Sequence, residues 1–199
     1  PVRSDLNKKN CKLLNEKIFS FIKKNNVGKI FLVSRWTYYT DGDYSGREFA
    51  HLSKNNLMLV NKKNSRDAFI FGLERTIKKY HDIGVEVILV QQPPMQILHP
   101  QFIYYNSFNF KKLYVEKSKL YNLSVDYDKH IEFQSFVRNL IATLNKKYNF
   151  KIINLDKYFC DKKKCLIGDD LSSFYGDDDH LSEIGSLKTQ VSIKRHLID

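Results

Sequence analysis

The chain has 199 residues, of which 42% are hydrophobic, and its formal net charge is +11. This length suits one globular domain with a full-sized core, and the hydrophobic fraction argues against intrinsic disorder. No apolar run approaches the roughly 20 residues that cross a bilayer, and no signal peptide is visible. We therefore expect a single domain over residues 1–199. Because the sequence begins at Pro1 without a methionine, we expect it to be a fragment of a longer polypeptide.

The basic charge allows two interpretations. It indicates either attraction to an anionic partner, such as nucleic acid, an acidic glycan or a lipid surface, or a lysine-rich composition spread over solvated faces. The lysines are dispersed, with Lys162-Lys163-Lys164 as the longest run. No zinc-finger, RNA-recognition or helix-turn-helix signature accompanies them. The second interpretation is favoured, and we expect no nucleic-acid partner.

Helices and strands are predicted to alternate along the chain. Apolar residues that recur every three or four positions predict amphipathic helices. These helices cover residues 5–25, 65–80, 125–147 and 183–197. Ser65 and Ser182 are the predicted N-caps of the second and fourth helices. The segment 95–123 is aromatic-rich and weakly patterned, and predicts only a short helix near 111–121.

Short runs of large and branched apolar residues predict the strands. They cover residues 29–34, 85–90 and 150–156, and an edge strand is expected at 57–60. Strands that alternate with helices in this order predict a three-layer α/β/α sandwich with a mainly parallel sheet. In such sheets, ligands bind beyond the carboxyl ends of the strands.

Two residues follow the first predicted strand at that ligand-binding edge, namely Arg35 and Trp36. They are candidate oxyanion or substrate-binding residues. Alternatively, the indole caps the core and the guanidinium forms a surface ion pair. No glycine-rich phosphate loop follows any strand, so we expect no nucleotide or other cofactor.

The turn before the last predicted helix contains a carboxylate three residues ahead of an imidazole. At this spacing Asp177 can fold back onto His180, fix its tautomer and stabilise its charged form. Such a pair is typical of a catalytic site in which the histidine activates a nucleophile. The alternative is an acidic turn whose histidine only caps a helix. We expect the neighbouring Asp178 and Asp179 to be solvated, and the alternative is a weak cation site that they form with Asp177.

Three cysteines are present. Cys160 and Cys165 bracket a polar turn and can close a disulfide loop worth ~2 kcal/mol, which would place the domain in an oxidising compartment. Free thiols or half of a metal site are the alternatives. A zinc site normally has four ligands and no second cysteine pair exists, so we expect no metal. Cys11 has no evident partner.

Several of these stretches resemble a known family. The turn Asp177-x-x-His180-Leu181-Ser182-x-x-Gly185 resembles the final motif of SGNH hydrolases, in which the Asp and His complete a Ser-His-Asp triad. More narrowly, three further features resemble the SGNH domain that is fused behind the acyltransferase-3 membrane domain of bacterial glycan O-acetyltransferases. They are Ser34-Arg35-Trp36-x-x-Tyr39, Gln92-Pro93-Pro94, and Phe159-Cys160-x4-Cys165 followed by Tyr175.

The resemblance implies an acyltransferase in which Asp177 and His180 are catalytic. The implied reaction moves an acyl group, usually acetyl, to a hydroxyl of lipopolysaccharide or another envelope glycan. An upstream membrane acyltransferase domain would supply the acyl donor. The implied location is the periplasmic or extracytoplasmic face of the inner membrane. Alternative functions are a carbohydrate acetyl esterase and a non-catalytic basic module that binds anionic glycan.

One departure from the family pattern concerns the nucleophile. The family begins with a Gly-Asp-Ser block that carries the catalytic serine, and this tripeptide does not occur in the chain. Gly42-Asp43-Tyr44-Ser45 has an extra residue, and Gly168-Asp169-Asp170 lacks the serine. We therefore expect the serine to lie upstream, and we expect these 199 residues to be inactive by themselves.

Overall fold

A computed structural model describes residues 2–3, 10–46, 50–54, 61–109 and 114–198. The chain divides into two compact units. The first unit comprises Pro1–Val90 with Phe136–Ile152, and the second comprises Gln91–Ser135 with Ile153–Asp199. Within the described ranges, no helix combines the length and the apolarity that crossing a bilayer requires.

The helices are numbered in chain order. They are α1 Asn10–Lys24, α2 Lys62–His81, α3 Pro100–Asn109, α4 Lys117–Leu123, α5 Tyr127–Tyr148, α6 Asp156–Phe159 and α7 Glu183–Ile198. The strands are β1 Val2–Arg3, β2 Lys29–Leu32, β3 Leu52–Ser53, β4 Glu86–Val90, β5 Val125–Asp126, β6 Lys151–Ile153 and β7 Lys164–Cys165. A short 3-10 turn covers Thr37–Tyr39.

The three longer strands form one sheet in the order β2-β4-β6. Strands β2 and β4 are parallel, with Lys29 opposite Glu86 and Leu32 opposite Leu89. The predicted α/β class with a parallel sheet is confirmed, and each of these strands lies within its predicted range. The central strand β4 is buried from Val87 to Val90, as expected for a parallel strand covered on both faces.

Helix α2 contributes one continuous face to the core of the first unit. Phe69, Leu73, Ile77 and Tyr80 are all buried in the hydrophobic cluster that also contains Leu89 of β4. Their spacing of three or four residues places them on one side of the helix. The C-terminal part of α5 contributes a second such face to the same cluster. Its members are Val137, Ile141, Leu144 and Tyr148.

The predicted N-cap of α2 is wrong. The helix begins at Lys62, and the side chain of Asn61 caps it by accepting a hydrogen bond from the Asn64 backbone N–H at 2.8 Å. Ser65 is fully buried inside the helix, where its hydroxyl donates to the Tyr39 carbonyl and accepts from the Leu52 N–H at 2.7 Å. Because the Ser65 hydroxyl already donates one hydrogen bond and accepts another, it is not available to cap the helix N-terminus.

The segment 95–123 differs from its prediction. The short helix expected near 111–121 is present as α4, shifted toward the C-terminus, and the unpredicted α3 precedes it. The predicted edge strand at 57–60 lies outside the described residues.

Buried Gln96 joins three segments of the second unit. Its side chain donates to the Cys165 carbonyl at 3.1 Å and accepts from the Val125 N–H at 3.2 Å. Its own N–H donates to the Asp178 carbonyl at 2.6 Å. Because β5 and β7 pair at Val125 and Cys165, Gln96 connects this antiparallel pair to the turn that contains Asp177 and His180.

Cys160 and Cys165 form a disulfide. Of the three predicted states of this pair, the structure therefore supports the disulfide over free thiols and over half of a metal site. It closes a loop in which the Asp161 carboxylate accepts from the N–H groups of Lys163 at 2.6 Å and Lys164 at 2.7 Å. The side chain of Cys11 lies outside the described residues.

Candidate active site

The turn that follows Tyr175 is shaped by its own side chains. Tyr175 and Leu181 face each other in an antiparallel bridge, and Gly176 N–H donates to the His180 carbonyl at 2.8 Å. Inside the turn, Oδ1 of Asp177 accepts from the N–H groups of Asp179 at 2.9 Å and His180 at 2.7 Å. An aspartate that binds the backbone two and three residues ahead is a standard way to hold a tight turn. The motif therefore determines its own local geometry.

The second oxygen of Asp177 contacts the imidazole. Oδ2 lies 2.7 Å from Nδ1 of His180, so the contact that the spacing predicts is present. The His180 side chain is 58% exposed, whereas that of Asp177 is 36% exposed. With Nδ1 engaged by the carboxylate, Nε2 is the nitrogen that can exchange a proton with a reacting group. The two residues thus have the arrangement of an oriented general base.

Asp177 is held in its charged form. Burial by itself raises the pKa of this carboxyl. The hydrogen bonds from the His180 and Asp179 N–H groups and from the His180 ring outweigh burial, and they lower the pKa from 3.8 to about 2. The carboxylate is therefore ionised throughout the physiological range.

This shift makes the contribution of Asp177 to folding depend on pH. Because the folded pKa is depressed, the stabilisation is complete above the ordinary value of 3.8 and is lost as the pH falls toward about 2. After allowance for solvent screening we expect about 1 kcal/mol. Urea unfolding of wild type and Asp177→Asn should therefore differ by this amount near pH 6 and converge as the pH falls below about 2. A difference that stays constant over this range would contradict the assignment.

Asp179 does not lie where we expected it. It is 4% exposed rather than solvated, and its Oδ1 lies 3.1 Å from Nδ1 of His180. Three consecutive aspartates suggest a solvated acidic turn, but the tight turn directs the third one inward. Asp178 between them is only partly exposed, and its carbonyl is bound by Gln96 N–H.

The residues after His180 begin α7 as predicted. Ser182 Oγ accepts from the Gly185 N–H at 3.1 Å, which is an N-cap interaction, and donates to the Ser173 carbonyl at 2.7 Å. The Ser182 N–H donates to the Phe174 carbonyl at 3.0 Å. The same carbonyl group packs against Gly185. A Cβ at this position would overlap the Phe174 carbonyl oxygen and would lie 2.9 Å from the carbonyl carbon. The motif therefore requires glycine at this position.

We expect Gly185→Ala to destabilise the domain by about 1–3 kcal/mol, since the overlap is with backbone atoms that cannot rotate away. The gain in helix propensity, at most about 1 kcal/mol, would offset only part of this cost. Thermal unfolding of the variant measures the change. Gly176→Ala is the matched control because the nearest atom to its added Cβ is the His180 carbonyl oxygen at 3.9 Å. Equal melting temperatures for the two variants would contradict the close approach.

Arg35 and Trp36 belong to the first unit, whereas Asp177 and His180 belong to the second. The Trp36 indole is 8% exposed, and its N–H donates to the Val90 carbonyl at 2.8 Å. The Arg35 guanidinium stacks on the Tyr38 ring at 3.8 Å. The Trp36 hydrogen bond connects the chain after β2 to the end of β4. A role for either residue in oxyanion or substrate binding stays a prediction.

A second His–Asp pair is buried in the second unit. Nε2 of His130 lies 2.9 Å from Oδ1 of Asp156, with side-chain exposures of 0% and 9%. We did not predict this pair, although a signal was present. His130 precedes the buried residues Gln134 and Val137 on α5 at spacings of four and three, which places it on the buried face. Because no solvent reaches the ring, the pair joins α5 to α6 as a structural contact.

Two groups of described residues bring potential metal ligands within 4.8 Å of one another. In His130, Cys160 and Cys165 the disulfide occupies both sulfur atoms. In Asp177, Asp179 and His180 the imidazole nitrogen that faces the carboxylates is already hydrogen-bonded to Asp177. Neither arrangement is an open set of ligands, and the prediction that the domain binds no metal remains a prediction.

The parallel sheet β2-β4-β6 defines the fold as one of the α/β class. Residues 1–191 match the family model described as the SGNH domain fused to AT3 domains. The chain therefore belongs to this family, as its motifs suggested. Among curated proteins, no sequence matches it.

A solved structure supports the fold assignment. The chain is similar to the periplasmic domain of a lipopolysaccharide acetyltransferase from Salmonella ser. Paratyphi A, with a TM-score of 0.57 and 18% sequence identity. The match covers 94% of this chain and 63% of that chain. At this identity the similarity concerns the fold, and the Salmonella domain has a further part that these residues do not match.

Proposed function

We propose that the chain is the extracytoplasmic SGNH domain of a membrane O-acyltransferase that modifies a cell-envelope glycan. The observation that carries this proposal is the 2.7 Å contact between Asp177 and His180 on a largely exposed imidazole. Family membership supports it, because such domains are fused to AT3 domains. The reaction, the acyl group and the acceptor are parts of the proposal.

The proposed chemistry is a two-step acyl transfer. A serine hydroxyl attacks the carbonyl of an acyl donor while His180 Nε2 accepts the serine proton. The bond between the acyl carbon and the donor's leaving group then breaks, and His180 gives its proton to that leaving group. The acyl-serine ester is then attacked by a sugar hydroxyl. His180 accepts the proton of that hydroxyl and returns it to the serine. Asp177 holds the ring and stabilises its positive charge in both steps.

The nucleophilic serine is proposed to lie outside these 199 residues. No Gly-Asp-Ser occurs in the sequence, and the Salmonella domain extends beyond the matched part. An upstream AT3 domain would present the acyl donor, and the acceptor would be a hydroxyl of lipopolysaccharide or a related polymer. Acetyl is the group that the name of the Salmonella protein favours.

Transfer is favoured over hydrolysis by the fusion that defines the family. A free esterase has no need of a membrane partner that delivers an acyl donor. The two functions differ in their final acceptor, which is a sugar hydroxyl in one case and water in the other. Both functions consume the donor ester, so transfer is distinguished from hydrolysis by identifying the product.

The test compares the complete polypeptide with the 199-residue chain. A chromogenic acetate and a delipidated envelope glycan are offered to both. We expect the chain alone to be inactive and the complete protein to acetylate the glycan. Robust turnover by the chain alone, lost in His180→Ala, would place a nucleophile within these residues. Release of acetate without any glycan product by the complete protein would favour the esterase.

A further inference from the structure

The imidazole of His180 faces two carboxylates rather than one. Nδ1 lies 2.7 Å from Oδ2 of Asp177 and 3.1 Å from Oδ1 of Asp179. The Asp179 side chain is 1% exposed, whereas that of Asp177 is 36% exposed. The motif spacing identifies the first of these acids. The second is identified only by its position in the folded turn.

Burial makes the more distant carboxylate effective. The attraction between unlike charges weakens with distance only in inverse proportion, but it strengthens several-fold when water is excluded from the surroundings. Salt and water screen the half-buried Asp177 more than they screen the buried Asp179. The contact of Asp179 is longer than that of Asp177, at 3.1 against 2.7 Å, but this weakens the attraction to the ring less than the burial of Asp179 strengthens it.

Both acids are fixed by the backbone of the turn. The Asp179 N–H donates to the Asp177 carboxylate at 2.9 Å. Asp178, between them, has its carbonyl bound by the N–H of buried Gln96 at 2.6 Å. The peptide group between Asp178 and Asp179 is thus held at both its carbonyl and its N–H. A charge that is already positioned needs little reorganisation when the ring becomes positive.

We propose that Asp179 is a second positioning residue for His180. Its buried carboxylate lies within ion-pair distance of Nδ1, whose hydrogen bond goes to Asp177. By its negative charge it favours the tautomer that leaves Nε2 to accept a proton, and it stabilises the imidazolium. The effect of Asp179 on the rate of acyl transfer rests on the proposed function, but the effect of Asp179 on the His180 ring does not. The state of the ring is measurable in the chain without any turnover.

The experiment uses the 199-residue chain labelled with 15N-histidine. Two-dimensional spectra that correlate ring nitrogens with ring protons show which nitrogen of neutral His180 is protonated, and His180→Ala assigns the signals. The variants are Asp177→Asn, Asp179→Asn and the double variant. Asp178→Asn is the matched control, because it removes the same charge from the same turn.

The Asp177→Asn variant gives the sharpest result. Its amide oxygen can keep the two backbone N–H groups, so its NH₂ is directed at Nδ1 and favours the tautomer protonated on Nε2. We expect the Nδ1–H form to persist in this variant because the buried Asp179 carboxylate still lies 3.1 Å from Nδ1 and attracts its proton. The same form should be lost in the double variant. Loss of Nδ1–H in Asp177→Asn alone would overturn the proposal, as would its persistence in the double variant.

One outcome does not depend on the folding of the variants that alter Asp179. If those variants do not fold, loss of Nδ1–H in Asp177→Asn, in which Asp179 is intact, still overturns the proposal, and its persistence supports it. In the complete protein, Asp179→Asn should lower kcat for acyl transfer by about tenfold, and Asp178→Asn should not. The two proposals can fail separately. If the complete protein transfers no acyl group but the Asp177→Asn chain retains the Nδ1–H tautomer, the proposed function is refuted and the role of Asp179 stands.

Discussion

Replacing His180 by alanine in the complete protein is expected to lower the rate of acyl transfer by about 10²–10⁴-fold, the contribution of a positioned general base. The ring is exposed and held at Nδ1 by Asp177 at 2.7 Å. In the proposed mechanism it is the group that accepts the protons of the serine and of the sugar hydroxyl. Initial rates with a labelled acetyl donor and glycan acceptor measure the effect.

The control for this prediction is Asp178→Asn, which alters the same turn without touching the ring. Wild-type rates in that variant, together with unchanged thermal unfolding of His180→Ala, would assign the loss to chemistry. Asp177→Asn should lose up to about 10⁴-fold where a single acid orients the histidine. It should lose less here if Asp179 shares that role. Full activity of His180→Ala would remove the basis of the proposed function.

Replacing Asp156 by alanine is expected to lower the free energy of unfolding by about 3 kcal/mol. The His130 ring is fully buried and lies 2.9 Å from this carboxylate, and a buried polar group that loses its partner costs about 1–3 kcal/mol, or more when charged. Urea unfolding followed by circular dichroism gives the value.

The matched control is Asp128→Ala, which removes an exposed acid in the first turn of α5. We expect it to change the free energy of unfolding by less than about 0.5 kcal/mol. A double variant of His130 and Asp156 should cost less than the sum of the two single changes, since each single change disrupts the same contact. Strict additivity would show that the pair does not act as a unit.

Elements that depend on local patterns were predictable from the sequence. The strands β2, β4 and β6 are short apolar runs, and α2, α5 and α7 carry apolar residues at helical spacing. The Asp177–His180 contact was predictable for the same reason, because both partners lie within one turn. Ser182 was predictable as an N-cap because its partner, the Gly185 N–H, is three residues away.

Features with distant partners were not predictable. Ser65 is a favourable capping residue by type, but its hydroxyl is bound by Tyr39 and Leu52, residues that only the fold brings to it. His130 and Asp156 are separated by 26 positions. No local pattern joins them, although the helical spacing of His130 indicated burial and hence the need for a partner.

The sequence by itself determined the α/β class, the family and the acid–imidazole turn, because each is encoded in residues that interact over a few positions. Only the tertiary structure decided that Asp179 is buried beside the ring and that a second His–Asp pair lies in the interior. Both outcomes depend on which side chains are removed from water when segments pack together. Spacing along the chain indicates that His130 is buried, but it specifies neither the partner of His130 nor the burial of Asp179.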